Sequence, residues 1–246
     1  MTKYVLNPDW SSSTTDGAYE LSFDFNNRMY ISDSSTVDPD QYFTVNLLGG
    51  IMEFDIDLSL VGCSCLTALY TITMPGVDNT WDPFKYCDAS GVGGHYCPEF
   101  DVMEANKYAF QVNAHSCVPT SSGAFYDCSY QASCSKGVYS GTDSYGPSTS
   151  NSIDSQYPFH MKMEFHENAT TGQFEGYTTT LTQGSQELVF TSGVCDFLNN
   201  MTEDMKRMVI AISNWSSGDM SWLNKGSCSE GCNTNSVVSV FSNLSI

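Results

Sequence analysis

The sequence predicts an all-β protein, a two-sheet antiparallel β-sandwich of the jelly-roll type. Apolar and polar residues alternate with a period of two along many short segments, and turn residues separate these segments at close intervals. Charged residues make up only 15% of the chain, which favours sheets and loops over long helices. A length of 246 residues fits one sandwich domain.

The clearest predicted strand runs from Met52 to Leu58. It reads Met-Glu-Phe-Asp-Ile-Asp-Leu, so its apolar side chains share one face and its acids the other. Leu66–Met74 is continuously apolar, as expected for a strand buried on both faces. A short helix is predicted at 198–207, and a long loop pinned by cysteines over 118–151. The other predicted strands are 18–25, 28–32, 41–48, 100–103, 109–112, 160–165, 174–181, 187–190, 208–213 and 237–244.

Ten cysteines in a polar chain without C-x-x-C spacing indicate disulfides and an oxidising compartment. Four N-x-S/T sequons agree with secretion: Asn168, Asn200, Asn214 and Asn243. No apolar run is long enough to span a membrane, and no leader-like stretch follows Met1, so we expect an extracellular, mature or trimmed chain. The net charge of −19 disfavours nucleic acid and polyuronates as partners, but not a neutral polymer.

An acidic segment, Glu-Phe-Asp-Val-Met-Glu, runs from Glu99 to Glu104. On a regular strand Glu99 and Asp101 share one face, but Glu104 would then point into the core, where an unpaired carboxylate is costly. One β-bulge near Val102 or Met103 adds a residue and returns Glu104 to the acidic face. The sequence therefore predicts a bulged strand with three carboxylates in a row.

Crowded carboxylates resist joint ionisation, so one can stay protonated as an acid while another stays ionised as a nucleophile. Glycoside hydrolysis needs this division of roles. A solvated strand face and a set of calcium ligands are the alternative interpretations of the same segment.

The pattern E-x-D-x-x-E followed by Ala-Asn resembles the catalytic strand of glycoside hydrolase family 7, the fungal-type cellobiohydrolases and endoglucanases. His115 lies eleven residues after Glu104, where that family has a histidine. Other segments resemble the family in the same order: Arg28-Met29-Tyr30, Gln41-Tyr42-Phe43-Thr44, Ala68-Leu69-Tyr70, Tyr86-Cys87-Asp88, Gly93-Gly94-His95, Asn214-Trp215, Met220-Ser221-Trp222-Leu223, Gly226-Ser227-Cys228 and Val240-Phe241-Ser242-Asn243.

The resemblance implies a concanavalin-like jelly roll with a concave glycan-binding cleft. It implies a secreted, retaining hydrolase of β-1,4-linked glucan, either cellulose-type or mixed-linkage. Glu99 would be the nucleophile and Glu104 the general acid/base. Asp101 would hydrogen-bond and orient the nucleophile, and His115 would support the acid/base. Retention fits the carboxyl separation of about 5 Å that such enzymes use.

The resemblance also implies sugar contacts by seven side chains, namely Arg28, Tyr70, Tyr86, Asp88, Trp215, Trp222 and Lys225. Core packing is the alternative for Tyr70 and the two tryptophans. Trp10 and Trp81 belong to no motif and are interpreted as structural or rim residues.

For the cysteines, the family pattern implies the pairs Cys63–Cys228 and Cys87–Cys97. We infer Cys65–Cys232 from the parallel positions of these two residues. The pairing of the remaining four stays open: Cys117, Cys128, Cys134 and Cys195.

The chain departs from the family in its length. Soon after Asp88 it reaches Gly91-Val92-Gly93-Gly94, where the family inserts a long stretch, so we expect an open cleft and endo-acting cleavage. Leu66 stands where the family usually has asparagine, and Ser90 lies near a usual glutamine. Lys225 replaces an arginine and lacks its planar fork, so we expect weak product binding. The exact glucan stays open.

A non-catalytic glucan-binding module on the same fold is the alternative function, but such a module has no need of three acids and a histidine. A polysaccharide lyase would need basic residues, and the chain has only nine Lys and Arg. We expect one catalytic domain over 1–246 without a carbohydrate-binding module, acting as a monomer on β-glucan polysaccharide or oligosaccharide. We expect no cofactor, no metal and no membrane partner.

Overall fold

The computed structural model of the chain describes residues 4–6, 14–17, 20–128, 134–193 and 195–246. Within these residues it contains nineteen strands: β1 Tyr4–Leu6, β2 Thr14–Gly17, β3 Glu20–Asp24, β4 Asn27–Ser32, β5 Thr44–Val45, β6 Ile51–Asp57, β7 Leu66–Ile72, β8 Glu99–Ala105, β9 Ala109–His115, β10 Val118–Pro119, β11 Phe125–Tyr126, β12 Lys136–Tyr139, β13 Tyr145–Gly146, β14 Ile153–Asp154, β15 Phe159–Glu167, β16 Phe174–Gln183, β17 Gln186–Thr191, β18 Met208–Trp215 and β19 Val238–Ser245. One short α-helix, α1, spans Ser221–Asn224, and the 3-10 helices are Pro39–Gln41, Val92–Gly94, Asp196–Met201 and Asp204–Lys206.

Two large sheets form the body of the protein. The front sheet has the order β1-β4-β18-β7-β8-β9-β12, with β5 also paired to β18. The back sheet has the order β17-β16-β15-β6-β19-β3-β2. Neighbouring strands in both sheets are antiparallel. The predicted two-sheet antiparallel sandwich is therefore confirmed.

The back sheet shows the alternation that its sequence predicts. In β6, Met52, Phe54 and Ile56 are fully buried in the core between the sheets, while Glu53 and Asp55 lie on the other, partly exposed face. The strand β15 beside it repeats the same alternation. One face of this sheet therefore supports the core and the other faces water.

The front sheet is buried on both faces in its central strands. Every residue of β7 and β8 is buried. From β8, Phe100 reaches back to Phe165, Phe174 and Tyr177 with ring centroids 5.4, 5.8 and 5.5 Å away. A second apolar cluster covers part of the outer face and includes Tyr30, Tyr42, Tyr70, Phe84 and Tyr86.

The turn between β8 and β9 is organised by Asn106. Its Oδ1 accepts hydrogen bonds from the backbone N–H groups of Tyr108 and Ala109, at 2.8 and 3.0 Å. Its Nδ2 donates to the carbonyl of Cys65 and to Oδ1 of Asn224. One buried side chain thus closes the β8–β9 hairpin and ties it to the neighbouring segments.

Five disulfides join the ten cysteines. Three of them are the pairs named from the sequence: Cys63–Cys228, Cys65–Cys232 and Cys87–Cys97. The two pairs that the sequence left open are Cys117–Cys128 and Cys134–Cys195. The first two bridges tie the segment before β7 to the segment after α1.

Three sequence predictions need correction. Instead of a strand over 41–48, the chain forms a 3-10 helix at Pro39–Gln41 and a strand of only two residues, β5, because Asp38 caps a helix that begins at a proline. The single helix predicted at 198–207 is two 3-10 helices. The predicted loop 118–151 contains short strands, and β12 extends the front sheet beside β9. Residues 18–19 of one predicted strand, the loop residues 129–133 and Trp10 lie outside the described residues.

The four sequons differ in accessibility. Asn200 and Asn243 are exposed and Asn168 is half-buried. Asn214 is fully buried in β18, where its Oδ1 accepts a hydrogen bond from Thr67. A folded chain offers no room for a glycan at Asn214.

Phe100→Ala tests how strongly the core behind β8 supports the fold. We expect the substitution to lower the free energy of unfolding by about 3–5 kcal/mol, because it leaves a cavity among three aromatic rings. Urea denaturation measures the change. Tyr126→Ala, at a side chain that is 51% exposed, should shift stability by less than about 0.5 kcal/mol. Equal effects of both substitutions would contradict this description of the core.

Candidate active site

The carboxylates of β8 share one face because the strand carries a bulge. Against β7 the register shifts between Asp101 and Met103, so Val102 has no partner there. Against β9 it shifts between Asp101 and Glu104. Val102 and Met103 are both fully buried in the main core, while Glu99, Asp101 and Glu104 line a cleft on the front sheet. The predicted bulge is present at the predicted place.

The cleft has a volume of about 410 Å³. Its wall contains nine of the eleven side chains named from the sequence as catalytic or sugar-binding: Arg28, Tyr70, Tyr86, Asp88, Glu99, Asp101, Glu104, His115 and Trp215. It also contains Leu66 and Ser90, two positions where the sequence departs from the family pattern. Trp222 and Lys225 are not part of this wall.

Glu99 is held by the segment that precedes β8. The backbone N–H of Ala89 donates to its Oε2 at 2.9 Å. Burial raises the pKa of Glu99 well above its usual range, and the negative charges of Asp101 and Asp88 raise it further, while the Ala89 hydrogen bond opposes this.

Glu104 receives two amide hydrogen bonds from the neighbouring strand β9. Nε2 of Gln111 donates to its Oε2 at 3.2 Å, and Nδ2 of Asn113 donates to the same oxygen. Burial, followed by the charge of Asp101, raises the pKa of Glu104 to about 8, against the effect of the two amides and of His115. The three carboxyls therefore cannot all be ionised at mildly acidic pH.

Sequence reasoning missed Gln111 and Asn113. The signal was the period of two on β9, which places both on the same face as His115. The hairpin register then sets Gln111 opposite Glu104 and Asn113 opposite Asp101.

Asp101 lies beside the histidine that follows it on the neighbouring strand. Its Oδ2 lies 3.2 Å from Nε2 of His115. Its effect on Glu99 is electrostatic, through the raised pKa. His115 is thus placed beside two of the three acids, because its ring also lowers the pKa of Glu104.

A chain of hydrogen bonds lines one side of the cleft. The hydroxyl of Tyr70 lies 3.2 Å from that of Tyr86, which donates to Oδ2 of Asp88 at 2.8 Å. The backbone N–H of Val92 donates to the other oxygen of Asp88 at 3.0 Å. The guanidinium of Arg28 stacks on the Tyr86 ring at 3.6 Å. These side chains are therefore fixed in place.

The two tryptophans near the C-terminus form one unit. Trp215 lines the cleft, and Trp222 stacks behind it with ring centroids 6.1 Å apart and planes 26° apart. Lys225 is exposed and follows helix α1. Trp81, interpreted as a structural or rim residue, is 73% exposed and lies beside His95.

Within the described part of the chain, no group of three His, Cys, Asp or Glu side chains is arranged to hold a metal ion. The described helices include none long and apolar enough to cross a membrane.

The raised pKa of Glu104 makes the stability of the fold depend on pH, and Glu104→Gln tests this dependence. In the unfolded chain a glutamate releases its proton near pH 4.3, whereas folded Glu104 keeps its proton up to about pH 8. Its stabilising contribution is therefore fully present at low pH and is lost as the pH rises towards 8. We expect Glu104→Gln to raise the melting temperature more at pH 8 than at pH 4, as measured by calorimetry. Glu187→Gln, at an exposed carboxyl, should show no such trend, and an identical trend in both variants would refute the assignment.

The chain is similar to known cellulases in sequence and in fold. No family model matches the sequence. Among curated proteins, Endoglucanase 1 of Humicola insolens is 24% identical over 259 aligned residues, which cover 81% of this chain and 63% of that enzyme. The chain therefore spans less than two thirds of the length of this relative.

Solved structures give a stronger match in shape. An endoglucanase I complexed with cellobiose aligns with a TM-score of 0.76 and 22% identity, over 94% of this chain and 77% of that one. A cellobiohydrolase of glycoside hydrolase family 7 from Daphnia pulex aligns with a TM-score of 0.77 and 18% identity, over 96% of this chain and 80% of that one. The resemblance to glycoside hydrolase family 7 is thus confirmed at the level of the fold, and the chain has the two-sheet jelly-roll fold of that family's cellulases.

Proposed function

We propose that the chain is a family 7 glycoside hydrolase that cleaves β-1,4-linked glucan, cellulose-type or mixed-linkage, with retention of anomeric configuration. The observation that carries the proposal is the bulged strand β8, which lines the cleft with Glu99, Asp101 and Glu104. Two carboxyl groups flanking a scissile bond are the minimum that this chemistry requires.

In the first step Glu99 attacks the anomeric carbon of the sugar as a carboxylate, the form that the backbone N–H of Ala89 stabilises against burial and the neighbouring charges. The bond from that carbon to the glycosidic oxygen breaks, and Glu104 gives its proton to the departing oxygen. A glycosyl ester on Glu99 and a shortened glucan chain result. The raised pKa of Glu104 keeps it protonated for this role at mildly acidic pH.

In the second step a water molecule attacks the same carbon, and the now ionised Glu104 takes a proton from it. The ester bond breaks and Glu99 leaves as a carboxylate. Each step inverts the anomeric carbon, so the product keeps the original configuration. Asp101, paired with His115 at 3.2 Å, adds negative charge beside the positive charge that develops on the sugar.

A neutral glucan fits the walls of the cleft. Trp215, backed by Trp222, presents an aromatic surface to the apolar face of a sugar ring. Tyr70, Tyr86 and Asp88 supply polar atoms on the other side. A related solved structure is described as complexed with cellobiose, which is consistent with a β-1,4-glucan here.

Cleavage within the chain, rather than from its ends, follows from the short segment above Glu99. Cys87 and Cys97 are only ten positions apart in the sequence, and their disulfide holds this segment close to the sheet. Such a short segment cannot roof the cleft, so an internal stretch of glucan can enter. The five disulfides fit an oxidising compartment, and we propose a secreted enzyme that acts as a monomer.

Glu99→Gln is the most direct test of the site. We expect turnover to fall more than about 1000-fold, because the amide cannot form the glycosyl ester, while glucan binding stays within a few-fold of wild type. New reducing ends are measured near pH 5 on carboxymethyl cellulose, mixed-linkage glucan, laminarin and xylan, together with the viscosity of the cellulose solution.

A rapid fall in viscosity with few new ends would indicate endo-acting cleavage. Glu53→Gln, on the back sheet, is the matched control and should retain full activity. Wild-type turnover by Glu99→Gln would rule out the assigned nucleophile. Binding of glucan without cleavage of any of the four polymers by the wild type would favour the non-catalytic binding module.

The stereochemistry of the product gives a second test. Proton NMR of a soluble β-1,4-oligosaccharide during hydrolysis should show the β-anomer of the new reducing end first, followed by slow mutarotation. Early appearance of the α-anomer would mean an inverting enzyme, in which Glu99 is not a nucleophile.

A further inference from the structure

Strand β9 presents two amide side chains to a single oxygen of Glu104. Nε2 of Gln111 and Nδ2 of Asn113 both donate to Oε2. Gln111 and Asn113 are 3% and 7% exposed, so water competes little for these contacts. Two donors on one oxygen of a buried carboxyl distinguish that oxygen from the other one.

The orientation of both amides is fixed from the far side. The hydroxyl of Tyr139, on β12, donates to Oε1 of Gln111 at 3.3 Å. The hydroxyl of Ser135 lies within hydrogen-bonding distance of Oδ1 of Asn113. The Ser135 hydroxyl also lies 3.2 Å from the backbone carbonyl of Val112. In this arrangement each amide turns its carbonyl oxygen to a hydroxyl and its NH₂ group to Glu104.

We propose that Gln111 and Asn113 are positioning residues that keep Oε2 of Glu104 an acceptor and confine the acidic proton to Oε1. The proposal rests on the acid/base role proposed for Glu104. A neutral carboxyl carries one proton, and a hydroxyl at Oε2 would direct its hydrogen against two N–H donors. Oε1 is therefore the oxygen that delivers the proton to the leaving group and later recovers one from water.

The same amides keep Glu104 able to ionise. Hydrogen bonds to a carboxylate stabilise its charged form, and they act here against burial and the charge of Asp101. The titratable groups around Glu104 are Asp101 and Glu99 on its own strand, His115 on β9 and Tyr139 on β12. Without the amides, Glu104 would be a weaker acid that gives up its proton less readily.

Asn113→Ala and Gln111→Ala test this role through the pH dependence of hydrolysis. Each loses a hydrogen bond to a charged group, so we expect the alkaline limb of the kcat/KM profile to move up by about one pH unit. We expect kcat to fall about tenfold with KM within about twofold, because the proton is no longer confined to Oε1. Asn113→Asp keeps the shape of the side chain but places a second negative charge beside Glu104. We therefore expect a larger upward shift of the alkaline limb in this variant.

Gln183→Ala is the control for loss of a hydrogen-bonded amide, and Gln183 is half-buried. Its Nε2 donates to the backbone carbonyls of Asp154 and Pro158 on the back sheet side, so it should lower stability without moving the alkaline limb. If Asn113→Ala does not fold, Gln111→Ala and Ser135→Ala carry the test. Profiles of the β9 variants that superimpose on wild type after scaling would overturn the proposal and leave the amides a purely structural role.

A measurement independent of hydrolysis separates this proposal from the proposed function. The protein is labelled with ¹³C at the glutamate carboxyls. The NMR signal that disappears in Glu104→Gln is that of Glu104, and its chemical shift is then followed against pH. An upward shift of its titration in Asn113→Ala supports the amide contacts even if the wild type cleaves no glucan. An unchanged titration overturns the proposal even if the wild type is an active hydrolase.

Discussion

The architecture of the site depends on one extra residue in β8. A regular strand would bury Glu104 in the core, and the bulge at Val102 instead lets two consecutive apolar residues, Val102 and Met103, enter the core together. The acids on either side then face the cleft. Two contacts fix the position of the bulge along the strand. Before it, Phe100 packs among three aromatic rings of the back sheet. After it, Asn106 closes the β8–β9 turn and so sets the register of the hairpin.

Collecting three buried carboxyls in one cleft is unfavourable unless each has a partner. The structure provides a different one for each: a backbone N–H for Glu99, a histidine for Asp101 and two amides for Glu104. Most of these partners are neutral hydrogen-bond donors. They stabilise a carboxylate without keeping it permanently ionised, so protons can still move among the three carboxyls. A lysine or arginine at the same positions would hold the carboxylates permanently ionised, which would remove the acid that the proposed reaction needs.

Much of the site could be predicted from the sequence, because burying an unpaired charge costs a large free energy and that cost can be read from a few neighbouring residues. The bulge followed from the unfavourable position of Glu104 alone, and the back-sheet faces followed from alternation in β6. The strand predicted over 41–48 was wrong because a proline-led cap outweighs a weak apolar pattern. Gln111 and Asn113 were missed because alternation on β9 places them on the face of His115 but does not say which acid each one faces, and only the register shows that.

Disulfides close to the front sheet hold the cleft in shape. Covalent ties lie close to the floor of the cleft: Cys87–Cys97 just before Glu99, and Cys117–Cys128 just after His115. An isolated bridge pairs Tyr96 with Phe125, so the two tied segments also support each other. The segment that carries Asp88 and Ala89 is held by these ties, and it in turn holds Glu99 through the Ala89 N–H. The cleft is therefore preorganised around the carboxyls, as the proposed cleavage of a glucan chain requires.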